Sequence, residues 1–90
     1  TPELRVDCPE ERKFQVVDRA RETFRALAAR NSWGFDDTDG VRLTFPRGWG
    51  LVRASNTQAA LILRFEAETR DDLAAIRKTM EEPVLAWIAD

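Results

Sequence analysis

From Gly40 to Phe65 the chain carries no Asp or Glu, and its only charged side chains there are Arg42, Arg47, Arg53 and Arg64. The rest of the molecule holds all 16 acidic side chains against the remaining ten basic ones. An acidic protein that keeps one arginine-only stretch offers a place for an anion. The same pattern also arises when a short sheet turns its polar side chains outward. That all four are Arg favours planar, bidentate recognition of carboxylate or phosphate. Arg53 stands two residues before Ser55-Asn56-Thr57-Gln58. A guanidinium, two hydroxyls, an amide and neighbouring backbone N–H groups can surround a dianionic phosphate with charge-assisted hydrogen bonds. Ser, Asn and Thr also build ordinary turns by bonding their own backbone, so both readings of the loop stand. Arg42, Arg47 and Arg64 read as solvated faces.

Other chemistries lack their residues. There is no histidine, which removes the usual general base and the commonest metal ligand. The single cysteine, Cys8, can form neither an internal disulfide nor a Cys-based zinc site, and it reads as a small core residue. The acid pairs Asp36/Asp37, Asp71/Asp72 and Glu81/Glu82 are chain neighbours that do not share a face of a helix or strand. They make poor catalytic dyads. No catalytic or metal-binding residue is expected in this chain.

The elements that must position the loop follow from periodicity. Leu4, Val6 and Cys8 alternate as a short strand. Pro9, Glu10 and Glu11 suit the start of a helix of roughly 20 residues, about 9 to 30. Phe14, Val17, Ala20, Phe24, Leu27 and Ala28 form its apolar stripe. Residues 33–38 read as irregular or weakly extended, and Asp39-Gly40 as a two-residue hairpin turn. Val41, Leu43 and Phe45 mark one strand, Trp49, Leu51 and Arg53 the next, and Leu61, Leu63 and Phe65 the last. Thr69, with Asp72 three residues on, caps a second helix carrying Leu73, Ile76 and Met80. Pro83 is expected to kink or stop it, leaving Val84, Leu85, Trp87 and Ile88 as a short apolar tail, another helical turn or two packed on the sheet edge. Taking Ser55–Ala59 as the loop pairs Ala54 with Ala60, Arg53 with Leu61, Leu51 with Leu63 and Trp49 with Phe65. Directly opposed residues share a face, so this register makes Trp49 core and puts Arg53 at the rim of the core face.

Ninety residues make one domain, 1–90, of modest stability. A hydrophobic content of 43% suffices for one core, and no apolar run is long enough to span a membrane. The start, Thr1-Pro2-Glu3-Leu4-Arg5, has neither the basic beginning nor the apolar centre of a signal peptide. The element order gives an α+β domain: a four- to five-stranded antiparallel sheet with two helices on one face. The other face is partly free.

The run Asp39-Gly40-Val41-Arg42-Leu43-Thr44-Phe45-Pro46-Arg47-Gly48-Trp49-Gly50-Leu51-Val52-Arg53-Ala54-Ser55-Asn56-Thr57 resembles the C-terminal domain of the α-D-phosphohexomutases, closest to the bacterial phosphomannomutase/phosphoglucomutase branch. The likeness continues through Leu61-Ile62-Leu63-Arg64-Phe65-Glu66-Ala67 into the helix after Thr69 and covers nearly the whole chain. It implies a fold similar to the TATA-box-binding-protein-like class and a cytoplasmic four-domain parent of which this is domain four. The parent would move a phosphoryl group between C1 and C6 of a hexose, using Mg²⁺ and a hexose 1,6-bisphosphate activator bound elsewhere. By resemblance Arg53, Ser55, Asn56 and Thr57 grip the phosphate that does not react. The 90 residues alone are then inactive, and their partners are the phosphohexose and the other domains. The family's usual proline two residues after the Thr is here Ala59, which implies a less rigid loop. A different reading is a stand-alone anion or nucleic-acid module. The central aromatics Phe45, Trp49 and Phe65 are expected on the apolar face, away from the basic residues, which counts against it.

Overall fold

The computed structural model describes residues 3–90. Strands β1 (Leu4–Asp7), β2 (Gly34–Asp36), β3 (Val41–Phe45), β4 (Gly48–Ala54) and β5 (Ala60–Ala67) form one sheet in the order β1-β5-β4-β3-β2. Every neighbouring pair is antiparallel. Helices α1 (Lys13–Asn31) and α2 (Arg70–Ala89) cover one face. Phe24, Leu43, Leu63, Phe65, Met80 and Val84 are fully buried in a single core cluster beneath them. The α+β architecture expected from the element order is the one observed.

The register of β4 against β5 differs from the expected one by one residue. Ala54 faces Leu61, Arg53 faces Ile62, Leu51 faces Arg64 and Trp49 faces Glu66. A one-residue shift moves a whole set of side chains to the other face. Trp49, Leu51 and Arg53 therefore lie on the helix-free face, and Gly48, Gly50, Val52 and Ala54 line the core face. The cause is the close approach of α2. A Cβ at Gly50 would come 2.3 Å from Met80 Sδ, and one at Gly48 would come 2.7 Å from Ile76 Cδ1 and 2.2 Å from the Glu66 carbonyl oxygen. Glycines on the core side let the helix fill the space that strand side chains would otherwise occupy.

Three further expectations need correction. Residues 34–36 form the edge strand β2, and the β2–β3 connection spans Asp37–Gly40, with Gly40 at φ 72°. Helix α1 follows a turn at residues 9–12, and its buried stripe begins with Lys13 while Phe14 is 59% exposed. The stripe is thus turned by one residue at its first turn, because Lys13 reaches inward. Helix α2 runs through Pro83 to Ala89. A mid-helix proline costs about 3 kcal/mol, but the turn beyond it is held by packing. Val84 is fully buried, and the Trp87 ring lies 5.9 Å from that of Phe24. The Arg12 guanidinium also donates to the carbonyls of Trp87 and Ile88, at 2.7 and 2.9 Å. The start of α2 is as expected: Thr69 Oγ1 accepts from the Asp72 N–H at 3.1 Å and donates to its carboxylate at 2.8 Å.

Candidate functional site

The hairpin β4–β5 ends in the loop that carries the candidate anion ligands. Ala60 closes it by accepting from the Ser55 N–H at 3.0 Å. The side chains of Asn56, Thr57, Gln58 and Ala59 are exposed, whereas Ser55 is 7% exposed. The Ser55 hydroxyl oxygen accepts from the N–H groups of Thr57 and Gln58, at 3.3 and 3.2 Å. These are turn bonds of the kind serine makes with its own backbone. They use the acceptor side of the hydroxyl and leave its proton to donate. The loop is tied to β1 as well, since the Cys8 N–H donates to the Ala59 carbonyl at 2.9 Å. Burial pushes the Cys8 thiol above its ordinary pKa, the behaviour of an inert core cysteine.

Arg53 departs from the expected rim of the core. Its side chain is 30% exposed on the helix-free face, and its guanidinium lies 3.8 Å from the Glu3 carboxylate. An exposed ion pair of that length contributes little, so a better anion can displace Glu3. The fold therefore presents Arg53 at the end of β4, Asn56 and Thr57 at the tip, and Ser55 folded under the tip as a brace. These residues are nearly contiguous in one hairpin, so the sequence alone places them at one end of β4.

Lys13 was missed. It is 2% exposed at the first turn of α1, and its ammonium donates to the Ser55 carbonyl at 2.7 Å and the Gln58 carbonyl at 3.1 Å. Lysine is almost never fully buried unless paired, so its position beside Phe14 carries no local signal of burial. Only the packing of α1 against the hairpin brings it under the loop.

The helix-free face is partly apolar and carries charges of both signs, with Asp7, Asp36 and Glu66 on it beside the arginines. Arg5, Ile62 and Arg53 form one row across β1, β5 and β4, and Arg64, Leu51 and Arg42 form the next across β5, β4 and β3. The guanidiniums of Arg42 and Arg64 lie 4.3 and 5.7 Å from the Trp49 ring centre. Trp49 thus stands on the open face, contrary to the expectation that it is core, while Phe65 is fully buried and Phe45 packs against the core. Base stacking is disfavoured on this face because the one aromatic of β4 there is already engaged by two cations. Arg47, 66% exposed and 4.0 Å from the Asp72 carboxylate, is a solvated turn residue as expected. Near it Trp33, Phe45, Arg47, Asp72 and Thr79 border a concavity of about 310 Å³. That hollow lies by the β3–β4 turn, at the opposite end of β4 from Ser55, and none of the candidate ligands lines it.

No helix among the described residues is long and apolar enough to cross a membrane. The family described as phosphoglucomutase/phosphomannomutase, C-terminal domain, matches residues 3–82, and the chain belongs to that family. It is 39% identical over 89 residues to a phosphomannomutase/phosphoglucomutase of Pseudomonas aeruginosa, covering 96% of this chain and 18% of that protein. It is 37% identical over 95 residues to a phosphoglucomutase of Neisseria meningitidis serogroup B, covering 97% of this chain and 20% of the relative. Among solved structures, a phosphoglucomutase/phosphomannomutase family protein from Burkholderia thailandensis superposes with a TM-score of 0.68 at 32% identity, over 94% of this chain and 16% of that one. The chain thus spans about a fifth of the length of these relatives.

Proposed function

We propose that this chain is the substrate-phosphate-binding domain of a phosphomannomutase/phosphoglucomutase, and that the β4–β5 hairpin grips the non-reacting phosphate of a phosphohexose. The observation that carries the reading is the family match across residues 3–82, taken with a hairpin tip that exposes Asn56 and Thr57 beside Arg53. On this reading Arg53 supplies a planar, bidentate-capable cation, Asn56 and Thr57 supply neutral donors, and Ser55 adds its remaining proton. Each charge-assisted hydrogen bond is worth about 1.5–3 kcal/mol. That binding energy, made far from the reacting carbon, orients the sugar and favours closure of the cleft between this domain and the rest of the enzyme. The phosphoryl transfer between C1 and C6 is work for other parts of the parent, as are Mg²⁺ and the hexose 1,6-bisphosphate. Among the described residues no three His, Cys, Asp or Glu side chains converge as a metal site, and no step here is routed through a metal. The 90 residues by themselves are expected to turn over no hexose phosphate.

The test is steady-state kinetics of the full-length enzyme. Arg53→Ala should lower kcat/KM by roughly 30- to 1,000-fold, about 2–4 kcal/mol of transition-state binding. Arg47→Ala, at an exposed turn, should change it by no more than about 0.5 kcal/mol. Arg53→Lys should recover part of the loss, since an ammonium lacks the planar fork. Equal effects of Arg53→Ala and Arg47→Ala would refute the assignment, and so would a loss in Arg53→Ala that tracks a fall in melting temperature.

A further inference from the structure

Lys13 is the one charged side chain in the buried set of the described residues. Taking an ammonium out of water is costly unless it is paired and fully hydrogen-bonded. Here all three of its protons have acceptors within reach: the carbonyls of Ser55 and Gln58, at 2.7 and 3.1 Å, and the Glu10 carboxylate at 3.1 Å. Two of the three belong to the hairpin tip, 42 and 45 residues away in the chain.

The geometry of the peptide bond gives this contact a consequence. In a trans peptide unit the C=O and the following N–H point in opposite directions. Drawing the Ser55 carbonyl in toward Lys13 therefore turns the Asn56 N–H away from Lys13. Drawing in the Gln58 carbonyl does the same for the Ala59 N–H. The other two N–H groups of the tip, those of Thr57 and Gln58, point to the Ser55 hydroxyl. The four amides are thus sorted into two internal and two external donors, and the exposed Asn56 side chain lies beside one of the external pair.

We propose that Lys13 is a positioning residue for the phosphate-binding loop: its buried ammonium holds the Ser55 and Gln58 carbonyls and thereby aims the Asn56 and Ala59 N–H groups at the bound phosphate. The inference rests on the reading of the loop given above and deepens it. Pre-arranged donors bind without first paying the entropy of ordering the loop.

The test uses the full-length enzyme with glucose 1-phosphate. Lys13→Met keeps the length of the side chain and removes the ammonium, and Lys13→Gln keeps an amide donor without the charge. Ile76→Val, in the core and away from the loop, serves as a mildly destabilised control, and Arg53→Ala as the reference for a lost ligand. At a temperature well below every melting transition, Lys13→Met should raise KM about 10-fold or more, Lys13→Gln by less, and Ile76→Val not at all. In the unaltered enzyme, saturating glucose 1-phosphate should slow hydrogen exchange of the Asn56 and Ala59 amides more than that of the Thr57 and Gln58 amides, a measurement that needs no variant to fold. KM within twofold of the unaltered value in folded Lys13 variants, with Arg53→Ala impaired, would overturn the positioning role and leave the loop's function standing. So would ligand protection confined to Thr57 and Gln58. Unchanged KM in Arg53→Ala and the Lys13 variants alike would bring down the loop reading, and the role of Lys13 with it.

Discussion

The two faces of β4 invert the usual relation between side-chain size and burial. Toward the helices the strand presents Gly48, Gly50, Val52 and Ala54, and toward the open side Trp49, Leu51 and Arg53. The small residues are inside because Ile76 and Met80 of α2 occupy the volume above them. The large ones are outside, where two arginines cover the Trp49 ring. Alternation shows which residues share a face, but not which face is inside. That choice belongs to whatever packs on top.

The sharpest way to break this comparison is to truncate one large aromatic on each face. Phe65→Ala should cost about 3–5 kcal/mol, the usual loss for emptying an aromatic site in a core. Trp49→Ala should cost about 1–2 kcal/mol, since a half-buried ring loses partial packing and its cation contacts. Urea unfolding of both variants measures the difference, and similar losses would return Trp49 to the core. Next in size, Gly48→Ala should destabilise by about 3 kcal/mol despite adding a single methyl group. The new Cβ would meet the Glu66 backbone carbonyl at 2.2 Å, and backbone cannot rotate away. A change below 0.5 kcal/mol in the same experiment would mean that the β5 backbone at Glu66 and Ala67 can yield to the new methyl group. The smallest effects belong to the open face. Arg42→Ala should cost about 0.5–1 kcal/mol and Arg64→Ala less, in line with their distances of 4.3 and 5.7 Å from the Trp49 ring centre. Thermal melts of the two variants give the order, and a reversed order would show that the ring is held by something other than Arg42.

Much of the fold was legible because its signals are local. The Thr69 cap, the glycine turn at Gly40 and the strand pattern of Leu61, Leu63 and Phe65 each depend on residues within a few positions of one another. The candidate ligands Arg53, Ser55, Asn56 and Thr57 could be named from the sequence because they lie close together in one hairpin, whereas the contacts that brace the hairpin come from distant chain. The family was legible because the run through that hairpin is long.

What the sequence determined by itself was therefore the order of elements, the α+β class and the place of the loop. Tertiary structure alone decided the parity of the β4–β5 register, the passage of α2 through Pro83 and the burial of Lys13. In each of these the deciding contact joins residues far apart in the chain: Gly50 with Met80, Trp87 with Phe24, Lys13 with Ser55 and Gln58. The physical reason is that local propensities differ by about 1 kcal/mol or less per residue for most side chains. Placing a helix on glycines, or an ammonium on buried carbonyls, involves larger energies that exist only once the distant partner has arrived.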